Sequence, residues 1–341
     1  MSAQLEKQAS YEATFAHNFR KQVFSRVPAI PARTELAWKT VLVTGANVGL
    51  GFEAVRNFLR LRPKLVIMGV RSVEKGEAAA AVLRGEFPDP RIEVWELDME
   101  SFRSVQAFTE RAERELDRLH VVVLNAGLGK LKYERVEEGG CHEVSIQVNY
   151  LATVLLSFLL LPKLRPTASS SEPGRLSIVN SGACLGLSLE DPGNGRLLDS
   201  FDRPQKFDGF GQYGLSKLLV MMFVATLAQI IDPKEVIVNC TDPGATKGTS
   251  FFRSVNWIMG LGVRAFLSII GRPTKDASRI YLHSSLVLGE ESHGSWTDWI
   301  IRAWPKTMYT QQGQQLSERL WDETLEELKF AGVREKLQKA L

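Results

Sequence analysis

Three cysteines in 341 residues, Cys141, Cys184 and Cys240, are too few and too scattered to frame a fold. An odd set with no Cys-x-x-Cys pair argues against a disulfide framework and a zinc site, and points to a reducing, cytoplasmic setting. Histidine is equally sparse: His17, His120, His142, His283 and His293 show no metal-ligand spacing, so no metal is expected. Excess charge of one sign is missing too. With 42 Lys and Arg against 39 Asp and Glu, the formal charge is only +3, and no long basic block occurs, so nucleic acid is not an expected partner. A membrane span needs about 18 uncharged apolar residues in a row. The nearest approach is Phe251 to Ile270, which Arg253, Asn256 and Arg264 interrupt, and no transmembrane span is expected. The first residues are polar, with Glu6, Lys7, Glu12 and Arg20, and carry no recognisable signal peptide.

What is present is an ordinary globular composition, 44% hydrophobic and 24% charged, enough to bury a large core in one main domain. Residues 1–37 read as an N-terminal helical extension, with Leu5, Tyr11, Phe15 and Phe19 as a loose helical stripe before the tether Pro28-Ala-Ile-Pro31. Residues 38–341 read as a single domain. The most informative stretch is Val41-Leu-Val-Thr-Gly-Ala-Asn-Val-Gly-Leu-Gly51. Val41 to Val43 has the character of a buried strand, and Phe52, Val55, Phe58 and Leu59 recur at helical spacing after it. Gly45, Gly49 and Gly51 let the intervening turn bend sharply and approach a ligand, with the N–H groups of the new helix facing outward where a pyrophosphate would sit.

Beyond that turn, strands and helices alternate. Strands are expected at Leu65 to Val70, Ile92 to Leu97, Val121 to Leu124, Leu176 to Val179 and Val236 to Val238. Helices are expected at Val73 to Arg84, Ser101 to Leu116, Gly139 to Leu161 and Gln212 to Ile231. The pattern predicts an α/β fold: a Rossmann-type doubly wound parallel sheet in three α/β/α layers, with ligands beyond the carboxyl ends of the strands. Polar residues collect at those ends: Arg71, Asp98, Asn125-Ala126-Gly127, Ser181 and Asp242-Pro243-Gly244. An acid after the second strand would read a ribose 2′-hydroxyl. This chain has Gly69-Val70-Arg71 there, which favours a 2′-phosphate, with Lys75 one turn on to assist.

Tyr213-Gly-Leu-Ser-Lys217 puts a phenol and an ammonium one helical turn apart on one face, and a cation beside a phenol is expected to lower its pKa toward the working range. Together these segments resemble a short-chain dehydrogenase/reductase over about residues 38–300: the TGANVGLG turn, the Asn125-Ala-Gly127 motif, Asn149, Ser181, Tyr213 with Lys217, and the Pro243-Gly244 turn stand in the family's order. The ANVGLG and VRSVEKGE details are most similar to the retinol-dehydrogenase-like members and to fungal secondary-metabolism reductases.

The resemblance implies an NADP(H)-dependent oxidoreductase that transfers hydride between NADPH and a ketone or aldehyde, or from the matching secondary alcohol. It assigns Tyr213 as general acid or base, Ser181 as hydrogen-bond donor to the reacting oxygen, Lys217 as holder of the nicotinamide ribose, and Asn149 as anchor of a water. It places the cofactor on Thr44, Gly45, Asn47, Gly49, Leu50, Gly51, Arg71, Lys75, Asp98, Asn125, Ala126, Gly127, Pro243, Gly244 and Thr246, besides Tyr213 and Lys217. A non-redox lyase or isomerase, or a cofactor-binding protein without turnover, is the alternative on the same fold.

Two departures stand out. Compact family members place the tyrosine soon after the serine, whereas here about thirty residues intervene, including Leu189 to Asp208, which is expected to form a loop at the rim of the site. Where the family carries a threonine after the Pro-Gly turn, this chain has Gly248 between Thr246 and Thr249. The segment Ala245 to Gly271, rich in aromatic and aliphatic residues, suggests a lid over an apolar small-molecule substrate. A peripheral membrane contact is its other reading, and the oligomeric state stays open.

Overall fold

The first core strand, β1 (Thr40–Thr44), is buried along its whole length, and its side chains part to opposite sides of the sheet: Leu42 joins one core, Val41 and Val43 the other. β2 (Leu65–Val70) and β4 (Val121–Leu124) divide the same way, which is why these strands read as unbroken apolar runs. This structure, a computed structural model, describes residues 3–137, 142–167, 172–247, 267–268 and 270–338. β3 (Arg91–Glu96), β5 (Gly174–Val179), β6 (Val236–Thr241) and β9 (Ser295–Thr297) complete a parallel array, and β10 (Ile301–Arg302) closes one edge antiparallel. The order is β3-β2-β1-β4-β5-β6-β9-β10, so the chain reverses its direction of travel between β1 and β4, and a crevice opens there. Thr246–Lys247 and Arg272–Pro273 pair as a separate two-residue ladder, β7 with β8.

Helices cover both faces. The first face carries α5 (Phe102–Glu115), the Val144–Leu164 helix, the Gly209–Leu227 helix and the Gln311–Glu327 helix; the second carries α3 (Gly49–Leu59), α4 (Val73–Glu86) and the turns Thr274–Ala277, Arg279–Leu282 and His283–Val287. Starts are set by capping side chains: Ser72 accepts from the Lys75 amide, Ser101 from Ser104, Asp208 from Phe210 and Gly211. α3 begins at Val48 with no capping side chain, so its first N–H groups stay open.

The fold expected from the sequence is the one observed, with shifts at element ends. The helix expected at Gly139 starts at Val144, where the Glu143 carboxylate takes the Ser145 and Ile146 amides, and it runs to Leu164 through a π-helical turn at Gln147–Ala152. The extension folds as two helices, α1 (Ala3–Glu12) and α2 (Phe15–Phe24), because Thr14 interrupts the first and caps the second. The stretches nearest in character to a membrane span are two other than Phe251 to Ile270. By length and composition the Val144–Leu164 and Gly209–Leu227 helices are apolar enough to cross a membrane, but 100% and 67% of their apolar windows are buried inside this fold. Their apolarity serves the sandwich interior.

Candidate active site

At the crevice the turn after β1 is shaped by backbone lying on backbone. Gly45 and Gly49 hold φ of +64° and +60°, which L side chains rarely adopt. A Cβ on Gly51 would run into the Gly45 carbonyl and stand 2.7 Å from Asn125 Nδ2. The uncapped start of α3 faces a cleft of about 1240 Å³ that passes Arg71, Asp98 and Glu100 at one end and Ser181, Tyr213 and the Pro243-Gly244 turn at the other. Asn47, Leu50, Ala126, Gly127, Lys217 and Thr246 line it as well; Thr44, Gly51 and Asn149 stand buried behind the lining, and Lys75 is exposed on α4, outside it.

Those behind hold the wall in shape. Thr44 Oγ1 accepts the N–H groups of Asn125 and Ala126, both at 2.9 Å, while Asn125 Nδ2 donates to the Thr44 carbonyl at 2.9 Å. The remaining oxygen of Asn125 accepts the buried Tyr281 hydroxyl at 2.9 Å. The Asn125 side chain thus staples β1 to β4 at the switch point. Tyr281 went unseen in the sequence because its partner lies 156 residues earlier.

The reacting groups come from β5 and the Gly209–Leu227 helix. Ser181 follows β5 and caps the turn Gly182–Cys184 by accepting the Ala183 amide at 3.2 Å. It also hydrogen-bonds the Tyr213 hydroxyl. Lys217 lies one turn beyond, buried, with Nζ 5.8 Å from the Tyr213 ring centre and donating to the Val179 carbonyl at 2.9 Å. Asn180 ties strand to helix, donating to the Lys217 carbonyl at 3.0 Å and accepting the Ser181 amide at 2.7 Å. The sequence reading passed over Asn180.

The electrostatics differ from the expectation that Lys217 lowers the tyrosine. Burial raises the Tyr213 phenol above its ordinary value, and the Ser181 hydrogen bond pulls it back only in part. Burial likewise depresses the Lys217 ammonium, to about 8, against the upward pull of Cys240, Cys184 and Asp242. Desolvation outweighs the pair because Lys217 is buried and Tyr213 lies half-buried in the cleft wall rather than on a wet helix face.

The Asn149 side chain is fully used within the wall. Its Oδ1 accepts the Leu128 amide at 2.8 Å, and its Nδ2 donates to the Leu128 carbonyl at 2.8 Å and to Ser216 Oγ at 2.9 Å. Ser216 in turn donates to the Tyr213 carbonyl at 2.7 Å. The side chain is therefore committed to pinning the loop after Gly127 against the Tyr213 helix. It stands in the π-helical turn Gln147–Ala152.

At the nucleotide end Arg71 is 68% exposed and paired with Glu100 at 2.7 Å. Lys75 contributes its amide to the Ser72 cap, and Asp98 accepts the Glu100 amide at 3.0 Å. At the opposite end Asp242 is buried and accepts the Gly244 amide at 2.9 Å, while Gly244 takes φ +70°. Thr246 Oγ1 donates to the Gly244 carbonyl at 3.0 Å. Gly248, Thr249 and most of the proposed lid, including Phe251, Trp257 and Phe266, lie outside the described residues. The Leu189 to Asp208 insertion is not a rim of the cleft: it buries Leu197, Leu198 and Phe201, and Glu323 of the Gln311–Glu327 helix accepts the Leu197 and Leu198 amides at 2.9 and 3.0 Å. Its apolar residues draw it to that helix. Among the described residues no cluster of His, Cys, Asp and Glu is placed to hold a metal.

Residues 39–188 match the family model described as short chain dehydrogenase. The chain is 47% identical over 336 residues to the short chain dehydrogenase virL of Hypocrea virens, covering 98% of this chain and 97% of that protein. It is 43% identical over 317 residues to the short chain dehydrogenase/reductase mfmJ of Annulohypoxylon moriforme, covering 93% and 92%. A solved short chain dehydrogenase of Shigella flexneri, complexed with NADP, shares the fold with a TM-score of 0.56 at 22% identity, over 77% of this chain and 98% of that one.

Proposed function

The chain belongs to the short-chain dehydrogenase family, and from that premise we propose that it is an NADP(H)-dependent oxidoreductase acting on the carbonyl, or the matching secondary alcohol, of an apolar small molecule in secondary metabolism. The observation that carries this reading is the convergence of Ser181, Tyr213 and Lys217 on one cleft with the glycine turn. The residues fit a dinucleotide. A Cβ at Gly51 would fill the turn, one at Gly127 would stand 3.1 Å from Asn149 Oδ1, and the α3 amides are open to phosphate. When bound, NADP(H) supplies or accepts the hydride.

The chain's own groups manage the oxygen. Tyr213, which lines the cleft and is bonded to Ser181, gives its proton to the carbonyl oxygen in reduction and takes the alcohol proton in oxidation. Ser181, which donates to that phenol in the free protein, turns its one proton to the substrate oxygen and stabilises its developing charge. Lys217 keeps an ammonium beside them at neutral pH and holds the ribose side, while Asn149 and Ser216 fix the backbone on which Tyr213 rides. Arg71 takes the 2′-phosphate.

The test is loss of reduced-nicotinamide absorbance with NADPH and a panel of apolar ketones and aldehydes. The natural chain is expected to consume NADPH, and Tyr213→Phe to bind it as before with turnover lower by at least about a hundredfold. Normal turnover in Tyr213→Phe overturns the assignment. Tight NADPH binding with no consumption favours the non-redox readings.

A further inference from the structure

The cleft that holds Tyr213 is also lined by the extension, through Ala13, Phe15, Asn18, Phe19, Lys21 and Gln22. Phe15 and Phe19 lie one turn apart on α2 with rings stacked at 5.9 Å and 27°, and they are 75% and 39% exposed. Two uncovered rings side by side in the mouth of a reaction cleft are a surface for an apolar ligand. The helix that bears them is fixed to the site. Gln22 Nε2 donates to the carbonyls of Ala245 at 2.7 Å and Ile270 at 3.0 Å, and its Oε1 accepts the Ala245 amide at 3.2 Å and Arg272 Nη1 at 2.7 Å. Both donors and both acceptor positions of that amide are used. Arg272 Nη2 donates onward to the Lys21 carbonyl at 3.0 Å, and Lys21 Nζ faces Asp298 at 3.5 Å. Gln22 thus joins α2 to the residue after the Pro243-Gly244 turn and to the far end of the segment that follows it.

We propose that α2 forms a wall of the substrate compartment, that the Phe15–Phe19 pair seats a flat ring system on the substrate, and that Gln22 positions this wall against the Pro-Gly turn. The inference rests on the proposed function for where the carbonyl reacts, yet its own evidence is the lining and the clamp. It makes the extension a determinant of substrate choice, with ring-bearing carbonyl compounds preferred over short aliphatic ones.

The experiment measures, by calorimetry on the full chain saturated with NADP⁺, the dissociation constant of 2-acetylnaphthalene for the natural protein, for Phe15→Ala with Phe19→Ala together, and for Phe19→Leu. The double variant is expected to weaken binding roughly tenfold and Phe19→Leu less, with NADPH affinity unchanged and the thermal midpoint preserved, since both rings are exposed. Absence of measurable binding to the natural chain, or equal binding in all three, overturns the proposal. A weakened double variant in a protein that consumes no NADPH upholds the wall and sinks the reductase reading. Consumption of NADPH with a short ketone, beside unchanged naphthyl binding, does the reverse.

Discussion

Arg71 and Glu100 offer a prediction in which two substitutions pull in opposite directions. In the structure the Arg71 guanidinium is held at 2.7 Å by a carboxylate that also lines the cleft, so a 2′-phosphate must win it from Glu100. A charge-assisted hydrogen bond contributes about 1.5–3 kcal/mol. An ion pair exposed to this degree, 68% and 37%, contributes about 0.2–1 kcal/mol and is lost in the exchange. The net is about 0.5–2.8 kcal/mol, so Arg71→Ala should raise the NADPH dissociation constant roughly 2- to 100-fold and scarcely alter NADH. Glu100→Gln keeps the side-chain length, releases Arg71 and removes an anion facing a phosphate, so NADPH should bind roughly two- to fivefold tighter. Calorimetric titration of both cofactors at low and moderate salt makes the comparison, and the Arg71 effect should shrink as salt rises. Equal weakening of NADPH and NADH by Arg71→Ala, or weaker NADPH binding in Glu100→Gln, would refute the reasoning.

Two further outcomes are expected. Buried His142, at 2.6 Å from Asp202 and 3.5 Å from Glu327, joins the insertion to the Gln311–Glu327 helix; burial alone would lower its pKa, but the two carboxylates outweigh that and raise it to about 9. A raised histidine stabilises the folded state fully below its ordinary value of 6.5 and loses that contribution as pH rises through 9, so the natural chain should lose up to about 3 kcal/mol across that window in urea unfolding. His142→Gln should flatten the slope; an unchanged slope would place the titration elsewhere. Gly51→Ala should reduce NADPH affinity at least about tenfold by pushing the turn off Asn125 and the Gly45 carbonyl, whereas Gly85→Ala, with open space around it in α4, should leave affinity alone and stabilise the helix by about 0.5–1 kcal/mol. Equal affinities in the two variants would show that the turn does not need its glycines.

What the sequence disclosed was chemistry written in adjacent residues. The glycine turn, Asn125-Ala-Gly127 and the Tyr213–Lys217 step are each contained in one turn or one strand end, so their geometry follows from local rules. Partners brought together by the fold were invisible: Gln22 meets Ala245 across 223 positions, and Arg71 meets Glu100 across 29. The upward shift of Tyr213 belongs to the same class. Spacing shows that a lysine is near, but burial decides the pKa, and burial is a property of the assembled sandwich. The insertion was misplaced because Leu197, Leu198 and Phe201 looked like loop residues until the Gln311–Glu327 helix supplied a surface to bury them.

The docking of the extension has a consequence in time. Glu12 accepts the Ala303 amide at 3.0 Å across 291 positions, and Lys21 and Gln22 bind Asp298, Ala245 and Ile270. On the ribosome, α1 and α2 emerge before any of these partners has been made, and they must wait through the synthesis of the whole sheet. The partners of the glycine turn, Gly69 and Asn125, are out long before residue 303. The α2 side of the cleft therefore cannot be fixed in place until residues 245, 270 and 298 have been made. A segment made early in the chain is thus among the last to take its place.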